Sequence, residues 1–375
     1  MANVLVLGGG FAGVVAAESL AKRLGHEHQI TLISRHREFI FYPSLVKLAF
    51  GQVEVSSITY DLREAMLDRR VKFIEGEVAY PDPDNNCVVV PHGEVQGKIP
   101  YDFLLFALGR RLATEEVHGF YEHAHHLLTV NAALKFRETL KTFHSGHAVI
   151  GYCPNSHLAV PVFETAFALD RYLHEQGDRN KVKITVVAPE ALGGQLGGAE
   201  IAPALQNALR DHQVEFVSDF YINQVTDKKI VDREGESIEY DLAMLVPPFT
   251  GPGEAQYTGI TDPNGYVRVD RHMRVTGAHR VYAAGDCVNF LGPKMGHMAV
   301  LQGMVAATNI AAEIEGHEPA ARYNHELMLV IDDGGKDSIY LQKPLWEQSE
   351  ASIKQGRFWG WAKHIHQKYW QKIHE

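Results

Sequence analysis

Residues Gly8-Gly9-Gly10-Phe11-Ala12-Gly13 follow the short apolar run Val4-Leu5-Val6-Leu7 and precede a segment with helical patterning. A G-x-G-x-x-G order between a strand and a helix brings the backbone close to a pyrophosphate while the positive end of a helix faces it. The first glycine permits the tight turn, the second the close approach, and the third the packing of helix on strand. A glycine-rich turn that binds nothing is the plain alternative, and the strand-to-helix context argues against it. Gly285-Asp286, at the end of Val281-Tyr282-Ala283-Ala284, presents a carboxylate that could take the hydroxyls of the same ligand. Alone it would read as an ordinary Gly-Asp turn; paired with the first motif it gains weight.

Two departures limit the reading. The strand after the first turn ends Ile33-Ser34-Arg35, with Ser34 and Arg35 where an acidic residue commonly holds ribose hydroxyls. A second glycine turn is degraded to Gly151-Tyr152-Cys153-Pro154-Asn155-Ser156. Side chains at those positions would obstruct a dinucleotide, which counts against NADH binding there. Cys153 has two readings: a thiol activated by a helix N-terminus, or a small buried apolar residue. Cys87 and Cys287, the other two cysteines, read as core. His123, His125 and His126, and separately His364 and His366, form local groups, but no cysteine or carboxylate completes a metal set, so no metal is expected.

The elements that must carry these residues form a repeated β-α-β order. Residues 4–7, 14–24 and 30–33 make one unit, and residues 148–150, 160–175 and 184–187 a second. Each is followed by an aromatic-Asp phrase leading into a buried-type strand, Tyr101-Asp102-Phe103-Leu104-Leu105-Phe106-Ala107-Leu108-Gly109 and Tyr240-Asp241-Leu242-Ala243-Met244-Leu245-Val246. Residues 264–270 read as a turn and strand. The expected class is α/β, with two Rossmann-like dinucleotide-binding domains, the second nested in the first. Boundaries are expected at 1–113, 114–246 and 247–315, with a C-terminal membrane-interface segment, 316–375, that has strands near 328–331 and 338–341. In its last helix Phe358, Trp361, Ile365 and Tyr369 share a face, and Lys363, Lys368 and Lys372 add charge. Such a helix suits a membrane surface; docking on the body or on a second subunit, as in a homo-oligomer, is the alternative.

Composition narrows the field. A net charge of −10 argues against sequence-independent nucleic-acid binding. Three cysteines in 375 residues suit a reducing compartment better than a disulfide scaffold. No stretch reaches the roughly 20 apolar residues that span a bilayer, and the N-terminus leaves no room for a signal peptide. The expectation is a cytoplasmic chain, peripheral on the inner face of the cell membrane.

Residues 8–13, Phe41-Tyr42-Pro43-Ser44, residues 101–109 with Leu112-Ala113, Pro293-Lys294-Met295-Gly296-His297-Met298 and the tail 356–372 resemble the sulfide:quinone oxidoreductases. That group includes flavocytochrome c sulfide dehydrogenases and type II NADH dehydrogenases. The resemblance implies FAD as cofactor, a quinone as acceptor and a small reductant such as sulfide or NADH. It adds Pro43, Ala107, Gly109 and Lys294 to the cofactor-binding candidates Gly8, Gly10, Phe11, Ala12, Gly13, Ser34, Arg35, Gly285 and Asp286. For catalysis it points to Cys153 and Glu164 on the donor face and to Lys294 near the flavin's pyrimidine end or the quinone carbonyl.

Two cysteine positions of the sulfide-oxidising members fall in Leu127-Leu128-Thr129-Val130 and Met328-Leu329-Val330-Ile331-Asp332, where no thiol stands. The middle one falls nearer Leu158 than Cys153, so a two-cysteine relay cannot be built. Residues 299–303, Ala-Val-Leu-Gln-Gly, and Glu164 resemble the type II NADH dehydrogenases instead. A flavin-binding membrane or partner module without turnover is the reading from outside enzymology.

Overall fold

The computed structural model describes residues 1–374 except 257, 335–337 and 347–349, and describes 366, 367, 369 and 371–374 by backbone only. The first apolar run forms β1 (Asn3–Leu7), and the glycines turn the chain into α1 (Phe11–Leu24). The helix starts three residues earlier than its apolar periodicity suggests, because Gly10 caps it and the turn closes at once. β2 (Gln29–Ser34) and β3 (Lys72–Glu77) extend the sheet on one side of β1, and β4 (Phe103–Phe106) lies on the other. All run parallel, with Val6 opposite both Leu32 and Leu105. Strands covered on both faces read as unbroken apolar runs, which is why alternation is absent here.

The chain then builds a second parallel sheet before finishing the first. β5 (Gly146–Tyr152), α2 (Val160–Gln176), β6 (Val182–Val187), α3 (Ala202–Asp211), β7 (Val214–Val217) and β8 (Leu242–Val246) give the strand order β7-β6-β5-β8. Only afterwards does β9 (Val281–Ala283) pair with β4, Leu104 opposite Val281. The second Rossmann-type sheet is thus inserted in the first, as the repeated order suggests.

The strand expected over 264–270 is instead a pair of turns. Asp262 accepts the N–H groups of Asn264 and Tyr266, and Asp270 those of His272 and Arg274, so side-chain carboxylates replace a ladder and leave only isolated bridges. α4 (Gly296–Ile314) packs on α1. β10 (Glu326–Ile331) and β11 (Ile339–Pro344) match the two expected tail strands, and β12 (Ser352–Gln355) is an unforeseen third, antiparallel to β11. The last helix is α5 (Arg357–His374). Among the described residues no helix is long and apolar enough to cross a membrane.

Candidate active site

The first turn is built so that nothing but glycine fits its inner positions. Gly8 has φ +104°, and a Cβ there would lie 2.2 Å from the Ala107 carbonyl oxygen; a Cβ on Gly13 would lie 1.9 Å from that of Gly8. Gly10 differs: a Cβ there meets no atom within 4 Å, so its outer side is open. No side chain caps α1 and its first turn carries no acid, leaving N–H groups of the helix end directed at that open side. These features fit the pyrophosphate of a dinucleotide cofactor.

Around the turn, Ser34 is buried, its Oγ 2.7 Å from where a Gly9 Cβ would stand. Arg35 is exposed and faces Glu77 and Glu254 at 3.8 and 3.5 Å. Phe11 begins α1 and faces Gly296 at the start of α4, while Ala12 lies against Gly285. Pro43 is exposed in the short turn Tyr42–Ser44. Gly109 follows β4 in the left-handed region. Gly285 N–H donates to Gln302 at 2.7 Å.

Asp286 is ion-paired with Arg110, whose guanidinium lies 4.2 Å above the Phe249 ring. Sequence reasoning missed Arg110. The signal was available in the consecutive cations Arg110-Arg111 directly after the closing strand.

Lys294 is not a free cation. It is buried, its ammonium donates to the carbonyls of Val288 and Phe290, and it lies 4.4 Å over the Tyr266 ring. Desolvation lowers its pKa to about 8, with Asp286 opposing the shift. In this arrangement the side chain ties down the loop between β9 and α4.

The second βα connection is of another kind. Three residues, 8–10, separate β1 from α1; seven, 153–159, separate β5 from α2. Asn155 and His157 hold left-handed backbone without being glycine, φ 61° and 52°. Their carbonyls accept the Phe249 N–H at 3.0 Å and the Lys294 N–H at 2.8 Å, so the long loop is fastened to neighbouring segments rather than left as a cradle. Tyr152 is buried, and desolvation, then the neighbouring Glu190 carboxylate just past the end of β6, raises its hydroxyl pKa.

This corrects the expectation for Cys153. It is fully buried beside Val149, Val187 and Leu245, well before α2 begins, and desolvation pushes its thiol pKa far up. The second of its two readings, a small core residue, is the one the structure supports. Cys87 and Cys287 are also buried and free.

Glu164 is likewise not on an open face. On α2 it is buried, accepting the Asp332 N–H at 2.8 Å and the ammonium of Lys363 on α5. Desolvation raises its pKa and Lys363 opposes that shift. Of the two stretches expected at cysteine positions, Leu127-Leu128 is core and Thr129 caps the helix Val130–Leu140, while Asp332 pairs with Lys47 at 3.3 Å. Among the described residues no three His, Cys, Asp or Glu side chains converge on a metal position.

The tail helix has two apolar faces. Phe358, Trp361 and Ile365 are 60%, 58% and 41% exposed, as their spacing suggests; the side chain of Tyr369 and that of Lys372 lie outside the described residues. On the other face Trp359 stacks on Tyr340 at 4.1 Å, and Trp370 is buried among Phe11, Phe39 and Phe41. Exposure to a membrane and docking on the body are therefore not exclusive: the helix docks with one face and leaves the other uncovered.

With this geometry in hand, the family model for pyridine nucleotide-disulphide oxidoreductases matches residues 2–303. The chain belongs to that family. Among curated relatives, the sulfide-quinone reductase of Aquifex aeolicus is 25% identical, covering 98% of this chain and 90% of its own. The type II NADH:quinone oxidoreductase of Staphylococcus aureus is also 25% identical, covering 94% and 93%. The solved sulfide:quinone oxidoreductase of Aquifex aeolicus shares the fold of this pyridine nucleotide-disulphide oxidoreductase with a TM-score of 0.93 at 24% identity, over 100% of this chain and 92% of that one. The NDH2 of Plasmodium falciparum, in complex with NADH, reaches 0.75 at 14% identity, over 99% and 94%. Both kinds of relative match nearly the whole chain.

Proposed function

We propose that this chain is an FAD-dependent oxidoreductase that takes electrons from a small donor of the sulfide class and delivers them to a quinone at a membrane surface. The contrast between its two βα connections carries the reading. The first is a three-residue turn with an open side; the second is a seven-residue loop tied to Phe249 and Lys294. Only the first offers a pyrophosphate cradle, so one dinucleotide is bound, as cofactor, and NADH is disfavoured as donor.

FAD is assigned to the turn 8–13, with Asp286 and Gly285 beside its ribityl chain and Ser34 and Arg35 at its adenosine end. The bound flavin would supply the two-electron chemistry. The relatives' names support a quinone as acceptor. The exposed Phe358, Trp361 and Ile365 support peripheral membrane contact through α5, since aromatic and apolar side chains on one helix face favour the interface. The inner face of the cell membrane is the assigned side.

The test is anaerobic mixing of the purified protein with sulfide or with NADH while the oxidised-flavin absorbance is followed, then addition of a quinone. Sulfide should bleach the band and quinone restore it. Bleaching by NADH at comparable rates would overturn the donor assignment, and failure of both donors to bleach would favour a binding module without turnover.

A further inference from the structure

Of the two consecutive cations after β4, only one turns inward. Gly109 redirects the chain through the left-handed region. The two-residue strands Arg111–Leu112 and Phe249–Thr250 then pair antiparallel, Arg111 opposite Thr250 and Leu112 opposite Phe249. They lie where the polypeptide leaves the first Rossmann-type unit and where it returns. Neighbouring side chains of an extended segment point to opposite faces. The Arg111 side chain accordingly stands 44% exposed against Glu115, whereas that of Arg110 is 19% exposed and reaches Asp286.

The surroundings of Arg110 fix its aim. Its guanidinium lies over the Phe249 ring, and the Phe249 N–H donates to the Asn155 carbonyl at 3.0 Å, so the loop after β5 holds the ring in place. One segment back, the Ala113 N–H donates to the Pro248 carbonyl at 2.8 Å. A planar cation stacked on a fixed ring loses little further freedom when it donates a hydrogen bond. That bond goes to Oδ2 of Asp286, and among the described residues no donor reaches Oδ1. The Asp286 side chain is 17% exposed, so without Arg110 its charge would be largely desolvated and unpaired. The Nε of Arg110 is buried and, among the described residues, has no partner, which makes direct contact with the cofactor the competing role.

We propose that Arg110 is a positioning residue for the cofactor: stacked on Phe249 where the two connecting strands cross, it holds one oxygen of Asp286 and so presents the other to a hydroxyl of the ribityl chain. A group held in its binding geometry beforehand costs less to order when the ligand arrives. The loop after β5 thereby serves the first site, through Asn155 and Phe249, although it offers no cradle of its own. This inference rests on the assignment of FAD to the turn 8–13 with Asp286 beside its ribityl chain.

The test titrates FAD into full-length apoprotein and follows the quenching of its fluorescence, with apoprotein melting measured alongside. Arg110→Met and Asp286→Asn should each weaken FAD binding about tenfold. The double variant should be no weaker than Asp286→Asn alone, because Arg110 acts through that carboxylate. Additive losses would make Arg110 a direct ligand and overturn the positioning role, as would an affinity for Arg110→Met within twofold of the parent. Phe249→Leu should weaken binding about threefold through loss of the ring beneath the guanidinium; where Arg110→Met does not fold, unchanged affinity in Phe249→Leu overturns the inference. Arg110→Lys keeps the charge without the planar fork and should stay closer to Arg110→Met than to the parent, whereas full recovery would reduce the role to charge alone. A parent protein that takes up no FAD would remove the cofactor assignment, and this inference with it; a parent that binds FAD no better than Arg110→Met would remove this inference only.

Discussion

Trp370, near the end of the tail helix, lies 5.0 Å from Phe11, the residue that opens α1 directly after the glycine turn. α1 and α5 therefore meet beside the glycine turn, in an aromatic group completed by Phe39 and Phe41.

Removing the Trp370 ring should release the tail. Trp370→Ala is expected to cost about 3 kcal/mol of local packing. Amide exchange over Arg357–His374 should then quicken by roughly a hundredfold, while exchange in β1 stays slow. Equal acceleration in both would mean that the contact supports the whole body.

The glycines of the turn should separate into two kinds. Gly13→Ala forces a Cβ against the Gly8 carbonyl, so it should lose about 2 kcal/mol of stability with or without cofactor. Gly10→Ala meets no protein atom; stripped of flavin it should melt like the parent, yet retain at least tenfold less FAD. Melting curves of apoprotein and the flavin-to-protein absorbance ratio decide the matter.

Cys153 should be dispensable. Cys153→Ala should keep donor-driven flavin reduction within about twofold and cost about 1 kcal/mol of stability, the loss of a small buried group. A thiol reagent should leave the native protein unlabelled, since all three cysteines are buried. A tenfold fall in flavin reduction would return the thiol to the mechanism.

Acid should weaken the fold through two histidines. Desolvation first, then Lys135 and His126 for His125 and Lys294 for His157, lowers both pKa values to about 4. Unfolding lets each bind a proton between about pH 6.5 and 4, so their contribution is complete above that window and is lost as pH falls through it. Each is worth at most about 3 kcal/mol. Urea midpoints should fall from pH 7.5 to pH 5, and His157→Asn should flatten the slope.

What was legible in the sequence was local. The glycine turn, the nested β-α-β order and the outward face of Phe358, Trp361 and Ile365 depend on residues within a few positions of one another, where spacing alone constrains geometry. The partners were not legible. Glu164 meets Lys363 across 199 positions, and Asp286 meets Arg110 across 176; no periodicity announces such pairs. Cys153 misled for a related reason, because the loop after β5 delays the helix that would have activated it. Trp370 was hidden by the neighbouring Tyr369, whose place in the apolar spacing drew the reading to the opposite face of α5.

The insertion of one sheet within the other also sets an order of assembly. On the ribosome the four strands of the second sheet are all available once residue 246 has emerged, whereas the sheet that begins at residue 3 waits for Val281–Ala283 to pair with β4. Domains generally fold as units during synthesis. The middle of this polypeptide therefore matures before its beginning, and the nascent glycine turn remains unfinished until three quarters of the chain has been made.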